Sequence, residues 1–157
     1  MNVILTPEKY DFFENAIVPV LNSCVPGTAA MSDVKEKSFL IVDDEDAVLF
    51  AFKDILSELS LAVDTAQSIE EVRLRLSMTS YDGAVIDLRL GGSNGFEGFD
   101  VIRLIRNRNP QCTIILLTAY ARPGTRERAI AEGADHFMEK PVSPEKIRAV
   151  LMPEGAS

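Results

Sequence analysis

The sequence predicts an α/β protein: a doubly wound sheet of five parallel strands with five helices, preceded by an N-terminal helical extension. Two observations carry that prediction. From Phe39 onward, short apolar runs alternate with stretches whose apolar residues recur at three-and-four spacing, the signature of successive βα units. Four of the apolar runs also end in residues able to do chemistry: Asp43-Asp44, Asp87, Thr118 and Lys140. In a parallel sheet all strands end at one edge, and open α/β folds bind their ligands there.

The first strand is Phe39-Leu40-Ile41-Val42. Val48, Leu49, Phe52, Ile55, Leu56 and Leu59 then form one helical stripe, and Asp44 to Asp46 crowd the start of that helix, where its dipole favours negative charge. A short second strand is expected around Leu61 to Thr65. Ser68 with Glu71 three residues on is a capping-box signal, followed by Ile69 and Val72 on the buried side of a helix. Gly83 to Asp87 is apolar throughout until its last residue, as a central strand should be.

A glycine-rich loop (Gly91, Gly92, Gly95, Gly98) leads into the helix carrying Val101, Ile102, Leu104 and Ile105, which Asn109-Pro110 ends. Ile114 to Thr118 is the fourth strand. Arg126 to Glu132 is a helix with a thin apolar stripe, closed by Gly133. His136 to Glu139 is the fifth strand. Ser143-Pro144 opens the last helix as N-cap and first turn, barely two turns before Pro153.

Three segments follow from this reading: an extension and linker over 1–38, a domain over 39–152 and a short tail over 153–157. In the extension, Thr6-Pro7-Glu8 starts a helix with Tyr10, Phe13, Ile17 and Leu21 on one face, and Pro19 kinks or ends it. Asn22 to Ser38, with Pro26-Gly27, reads as linker. The helix either packs on its own domain or serves as a dimerisation or docking arm. A true start at Met31 is the third reading.

The chain has 157 residues, 46% hydrophobic and 25% charged, with a net charge of −8. That charge argues against unaided binding to nucleic acid or to anionic membrane. Arg103, Arg106 and Arg108 read as a solvated helix face. No stretch approaches the roughly 20 apolar residues of a membrane span. Glu8, Lys9, Asp11 and Glu14 break up any secretory signal core. Cys24 and Cys112 lack metal or redox spacing, which suggests a reduced, cytoplasmic setting with Cys112 as a core residue. His136, the one histidine, reads as a structural or surface residue.

Three carboxylates at one sheet edge repel one another, so the site wants a cation. As helix caps alone the acids would be unremarked, but that leaves Asp87, Thr118 and Lys140 unexplained at the other strand ends. The joint set resembles the receiver domain of two-component response regulators over roughly Lys37 to Met152. It is similar to stand-alone receivers such as the chemotaxis response regulator, with the flavodoxin-like receiver fold. The resemblance implies that Asp87 accepts a phosphoryl group from a sensor histidine kinase or a histidine phosphotransfer protein. It implies Mg²⁺ held by Asp43, Asp44, Asp87 and the backbone carbonyl of Arg89, with Asp44 binding directly and Asp43 more through water. Thr118 and Lys140 would contact the phosphoryl group, and Thr118 with Phe137 would form the switch. Phe137 reads equally as an ordinary core phenylalanine, and having no hydroxyl it can couple only sterically. The expected output face is the fourth helix, fifth strand and last helix, with homodimerisation through that face or the N-terminal helix as a further contact.

Such a protein is a phosphoacceptor and not a turnover enzyme. A phosphatase working through an aspartyl phosphate would carry a second acid two residues after its nucleophile, where this sequence has Arg89. The rival from another class is an interaction or dimerisation module that keeps the fold without being phosphorylated. The loop from Leu88 to Gly98 departs from the family: Gly91 stands where a Met-Pro turn has its proline, and the run contains a short apparent insertion. It reads as slack or as a docking feature. Arg89 and Tyr120, bulky and each two residues past an active-site position, should flank the path of attacking water and slow hydrolysis.

Overall fold

The computed structural model describes residues 36–57, 61–91 and 95–153. Ten elements alternate along it: β1 (Ser38–Val42), α1 (Asp46–Ser57), β2 (Ala62–Ala66), α2 (Ile69–Met78), β3 (Gly83–Asp87), α3 (Glu97–Arg108), β4 (Thr113–Thr118), α4 (Thr125–Glu132), β5 (His136–Glu139) and α5 (Pro144–Leu151). The strands form one parallel sheet in the order β2-β1-β3-β4-β5. This is the doubly wound arrangement with its switch point between β1 and β3, where the chain turns from building one side of the sheet to building the other. The expected N-terminal helix, the linker up to residue 35, Leu59, Gly92 and most of the tail lie outside the described residues, whereas Ser38, read as the end of the linker, is the first residue of β1.

The period of two along each strand divides the core between two layers. Leu40, Val42, Ala84, Ile86, Ile114 and Leu116 face α2, α3 and α4, packing with Val72, Leu76, Phe99, Ile102, Ile105 and Ala129. Phe39, Ile41, Val85, Ile115 and Leu117 face α1 and α5, packing with Leu49, Leu56, Ile147 and Leu151. β3 is buried at all five positions, as its continuous apolar run predicts. Cys112 is free and buried in the first layer. Burial pushes its thiol up to about 12. No described helix is long and apolar enough to cross a membrane.

β1, β4 and α4 each begin one residue earlier than read, at Ser38, Thr113 and Thr125, and three further details differ. β2 starts one residue later, at Ala62, because its register is set by β1, with Ser38 opposite Ala62. Ser68 Oγ does accept the Glu71 N–H at 3.3 Å, but the Glu71 carboxylate reaches past the cap to the N–H of Gln67 at 3.0 Å, so the capping box closes one residue early. Arg106 is not part of a solvated face. Its guanidinium donates to the carbonyls of Gly133, Pro110 and Cys112 and to the Asp135 carboxylate, which also accepts the Ile114 N–H at 2.7 Å. It ties the end of α3 to the starts of β4 and β5 and takes up the carbonyl of Gly133, the residue that closes α4.

Candidate functional site

β1 and β3 lie side by side in register, Val42 opposite Ile86. Asp43 therefore follows one strand while Asp87 closes its neighbour. β4 and β5 bring up Thr118 and, one residue beyond Glu139, Lys140. Lys140 is fixed at its backbone, where its N–H donates to the Thr118 carbonyl at 2.8 Å. Its ammonium bridges the two buried acids, 2.7 Å from Asp87 Oδ1 and 3.1 Å from Asp43 Oδ2. The remaining carboxylate oxygens take backbone donors: Asp87 Oδ2 accepts the Arg89 N–H at 2.6 Å, and Asp43 Oδ1 accepts the Glu45 N–H at 3.0 Å. Thr118 is buried, and its Oγ1 accepts the Tyr120 N–H at 3.1 Å.

Burial is the largest influence on the Asp87 carboxyl and holds it above the ordinary carboxylate range. Asp43 adds in the same direction, while Lys140 and the Arg89 N–H oppose the shift without cancelling it. For Lys140, burial pulls the ammonium down, but hydrogen bonds and charge from Asp87 and Asp43 outweigh it and hold the amine above its usual range. Lys140 therefore remains a cation throughout the neutral range.

Asp43, Asp44, Glu45, Asp87, Arg89, Gly91, Gly95, Thr118, Tyr120 and Lys140 line one cleft of about 500 Å³. Asp44 stands apart from the other acids. It is exposed, and its Oδ2 would lie 3.0 Å from a Cβ placed on Gly91, a residue at φ +69°. Glycine is required there twice over, by the left-handed backbone and by the close carboxylate. Among the described residues no three acidic, histidine or cysteine side chains converge on a point able to hold a metal by themselves. The oxygen-only donor set of Asp43, Asp44, Asp87 and the Arg89 carbonyl nevertheless suits a hard cation that keeps several of its waters.

Gly98 explains how α3 can start so close to Asp87. A Cβ on it would fall 2.6 Å from the Asp87 carbonyl oxygen and 2.8 Å from Leu88 Cα, and the Gly98 N–H donates to the Leu88 carbonyl at 3.0 Å. This close approach explains why a glycine stands at the second position of α3. Phe137 is half-buried against the α2–α4 layer, and His136 is exposed.

The family model of the response regulator receiver domain matches residues 39–152. The chain belongs to that family. This receiver is 31% identical over 122 residues to the photosynthetic apparatus regulatory protein RegA of Cereibacter sphaeroides, covering 78% of this chain and 65% of that protein. It is 37% identical over 117 residues to the acid tolerance regulatory protein ActR of Rhizobium meliloti, covering 74% and 59%. It spans only 25% of the alginate biosynthesis transcriptional regulatory protein AlgB of Pseudomonas aeruginosa. Among solved structures it resembles a response regulator from Burkholderia pseudomallei with a phosphorylated aspartic acid, calcium ion and citrate, at a TM-score of 0.69 and 29% identity over 75% of this chain and 68% of that one. It also resembles a CheY-like receiver domain protein from Methanospirillum hungatei, at a TM-score of 0.67 and 29% identity over 74% and 94%.

Two features of the receiver lay beyond the sequence reading. The Arg89 guanidinium carbon sits 4.7 Å from the centroid of the Tyr120 ring, across the mouth of the cleft. Arg128 of α4 lies 4.2 Å from the Phe99 ring and 5.7 Å from the Phe96 ring, fastening α4 to the start of α3. Bulk at positions 89 and 120 was legible as sequence, but the partnership of the two side chains depends on how the β3–α3 and β4–α4 loops face each other.

Proposed function

We propose that this receiver accepts a phosphoryl group on Asp87 from a sensor histidine kinase or a histidine phosphotransfer protein in an Mg²⁺-dependent reaction. It then signals by a phosphorylation-dependent contact with a partner protein. The observation that carries the reading is the ammonium of Lys140 bridging Asp43 and Asp87, with Thr118 on the strand between. Phosphoryl transfer is mostly positioning and charge neutralisation, and this edge supplies both.

An Asp87 carboxylate oxygen attacks phosphorus while the bond from phosphorus to the donor nitrogen breaks and its electron pair leaves with the histidine. The Arg89 N–H steadies one Asp87 oxygen. Lys140, already within 2.7 Å of the other, offsets the repulsion between carboxylate and incoming phosphoryl oxygens. The Thr118 hydroxyl can donate to a phosphoryl oxygen while still accepting from Tyr120. When bound, Mg²⁺ would be held by Asp43, Asp44, Asp87 and the Arg89 carbonyl and would neutralise charge on the transferred group. The product is a modified receiver, not a released turnover product.

The output contact is assigned to the face of α4, β5 and α5, with Thr118 and Phe137 as the switch. A cytoplasmic setting accords with the free thiol of Cys112. AlgB is by name a transcriptional regulatory protein, so a downstream step at nucleic acid is compatible with this reading. A chain of net charge −8 is poorly suited to make that contact unaided.

The test is labelling by acetyl phosphate with and without Mg²⁺, read on a phosphate-affinity gel. Wild type should be labelled only with Mg²⁺, Asp87→Ala should be blank, and Asp44→Ala should label slowly with weakened Mg²⁺ dependence. Equal labelling of Asp87→Ala and wild type would remove Asp87 from the reaction. A wild type that takes no label and ignores beryllofluoride would favour the phosphorylation-independent module. A half-life of only seconds would reject slow hydrolysis at Arg89 and Tyr120.

A further inference from the structure

The Arg89 side chain lines the phosphoacceptor cleft, yet it makes no ion pair among the described residues. Its partner is the Tyr120 ring, 4.7 Å away, and Tyr120 is 63% exposed. Both residues are tied by their backbones to the groups that would meet a phosphoryl oxygen. The Arg89 N–H donates to Asp87 Oδ2, and the Tyr120 N–H donates to Thr118 Oγ1. Gly95 leaves room beside the guanidinium, since a Cβ there would lie 3.4 Å from Arg89 Nε.

An exposed cation–π contact shifts a population by only about two- to fivefold. A guanidinium facing phosphoryl oxygens makes charge-assisted, often paired hydrogen bonds, each roughly twice as strong as a neutral one. The second partner outcompetes the first wherever both are within reach.

Resting on the assignment of Asp87 as phosphoacceptor, we propose that the Arg89 side chain is a second phosphoryl-binding cation, parked on Tyr120 in the unmodified protein. Phosphorylation draws it off the ring. Tyr120 then loses its partner while Thr118, which holds its backbone, turns toward the same phosphoryl group. Both changes meet at Tyr120, in the loop that leads into α4. This gives the receiver a route from site to output face that does not depend on a hydroxyl at Phe137.

The test is a double-mutant cycle on beryllofluoride affinity in the presence of Mg²⁺, with occupancy read by fluorine NMR. Arg89→Gln should weaken binding about tenfold, having lost a charge-assisted pair. Tyr120→Ala should tighten it by about threefold, because it removes the competing partner. In the Arg89→Gln background, Tyr120→Ala should change nothing. Opposite signs that collapse to zero in the double variant are not what two merely structural changes produce.

A second readout keeps Arg89 native. The chain has no tryptophan and three tyrosines, so Tyr10→Phe with Tyr81→Phe leaves Tyr120 as the only emitter. Its quenching by iodide should rise when beryllofluoride binds. Normal beryllofluoride binding with unchanged Tyr120 quenching, or equal affinities across the cycle, overturns the latch and leaves the phosphoacceptor reading intact. Absence of bound fluoride on the wild type overturns the phosphoacceptor reading itself.

Discussion

Two arginines at opposite ends of the sheet show how differently one side chain can be used. Arg106, at the edge where β4 and β5 begin, has every arm occupied by carbonyls of Gly133, Pro110 and Cys112 and by Asp135. Arg89, at the edge where the strands end, rests its guanidinium on the Tyr120 ring. The first is spent on holding the fold. Among the described residues the second has no hydrogen bond or ion pair at its guanidinium, and it stands in the same cleft as two buried acids that share one ammonium. One edge is built for stability, while at the other burial holds the Asp87 carboxyl above the ordinary range.

Arg106 staples the edge where β4 and β5 begin. Arg106→Ala should cost about 3 kcal/mol in urea unfolding, since several charged hydrogen bonds to half-buried acceptors are lost together. Asp87 labelling of the folded fraction should survive. A variant as stable as wild type would mean that the staple carries no load.

Gly98→Ala tests where the two roles meet, because the added Cβ collides with the backbone at Asp87 and Leu88. It should cost about 2 kcal/mol, the usual range for overpacking, and should slow labelling by displacing Asp87. Unchanged labelling would show that the start of α3 does not position Asp87.

Asp87→Asn should instead give a small gain in stability at pH 7. A carboxyl with a raised native pKa contributes fully below its unfolded value and loses that contribution as pH rises through the native value. The charge is thus unfavourable at neutral pH, and the neutral isostere removes the penalty. The gain should shrink as the pH falls toward the unfolded carboxylate range. Equal stability of the two proteins at pH 7 would argue that Lys140 fully compensates for burial.

The smallest expected effect is at Cys112, whose thiol is pushed up to about 12 by burial. In Cys24→Ser protein it should not react with a thiol reagent at pH 8 until denaturant is added. Rapid native modification would mean that the core beside β4 opens readily.

Much of this was readable from the chain alone, for physical reasons. Strand ends in a parallel sheet share an edge, so an acid after Val42, an acid at 87, a threonine at 118 and a lysine at 140 were bound to meet once the alternation was recognised. Helix ends were equally legible at Ser143, Asn109 and Gly133, because capping and left-handed backbone are local properties. Arg106 was not legible as a staple. Three of its acceptors are carbonyls, the one on Gly133 27 positions away in sequence, and carbonyls leave no mark in residue types. The same holds for the Glu71 carboxylate, which chose Gln67 over the cap.

The strand order has a consequence for synthesis on the ribosome. Asp43 and Asp87 belong to neighbouring strands that can pair early, while the ammonium between them arrives on β5, the last strand to emerge. A nascent chain that has made β1, β3 and β4 therefore holds two adjacent carboxylates with no counter-charge, and its edge at β4 is still open. Docking of the final strand closes that edge and delivers the neutralising group in one event. Completion of the sheet thus coincides with delivery of the Lys140 ammonium to Asp43 and Asp87.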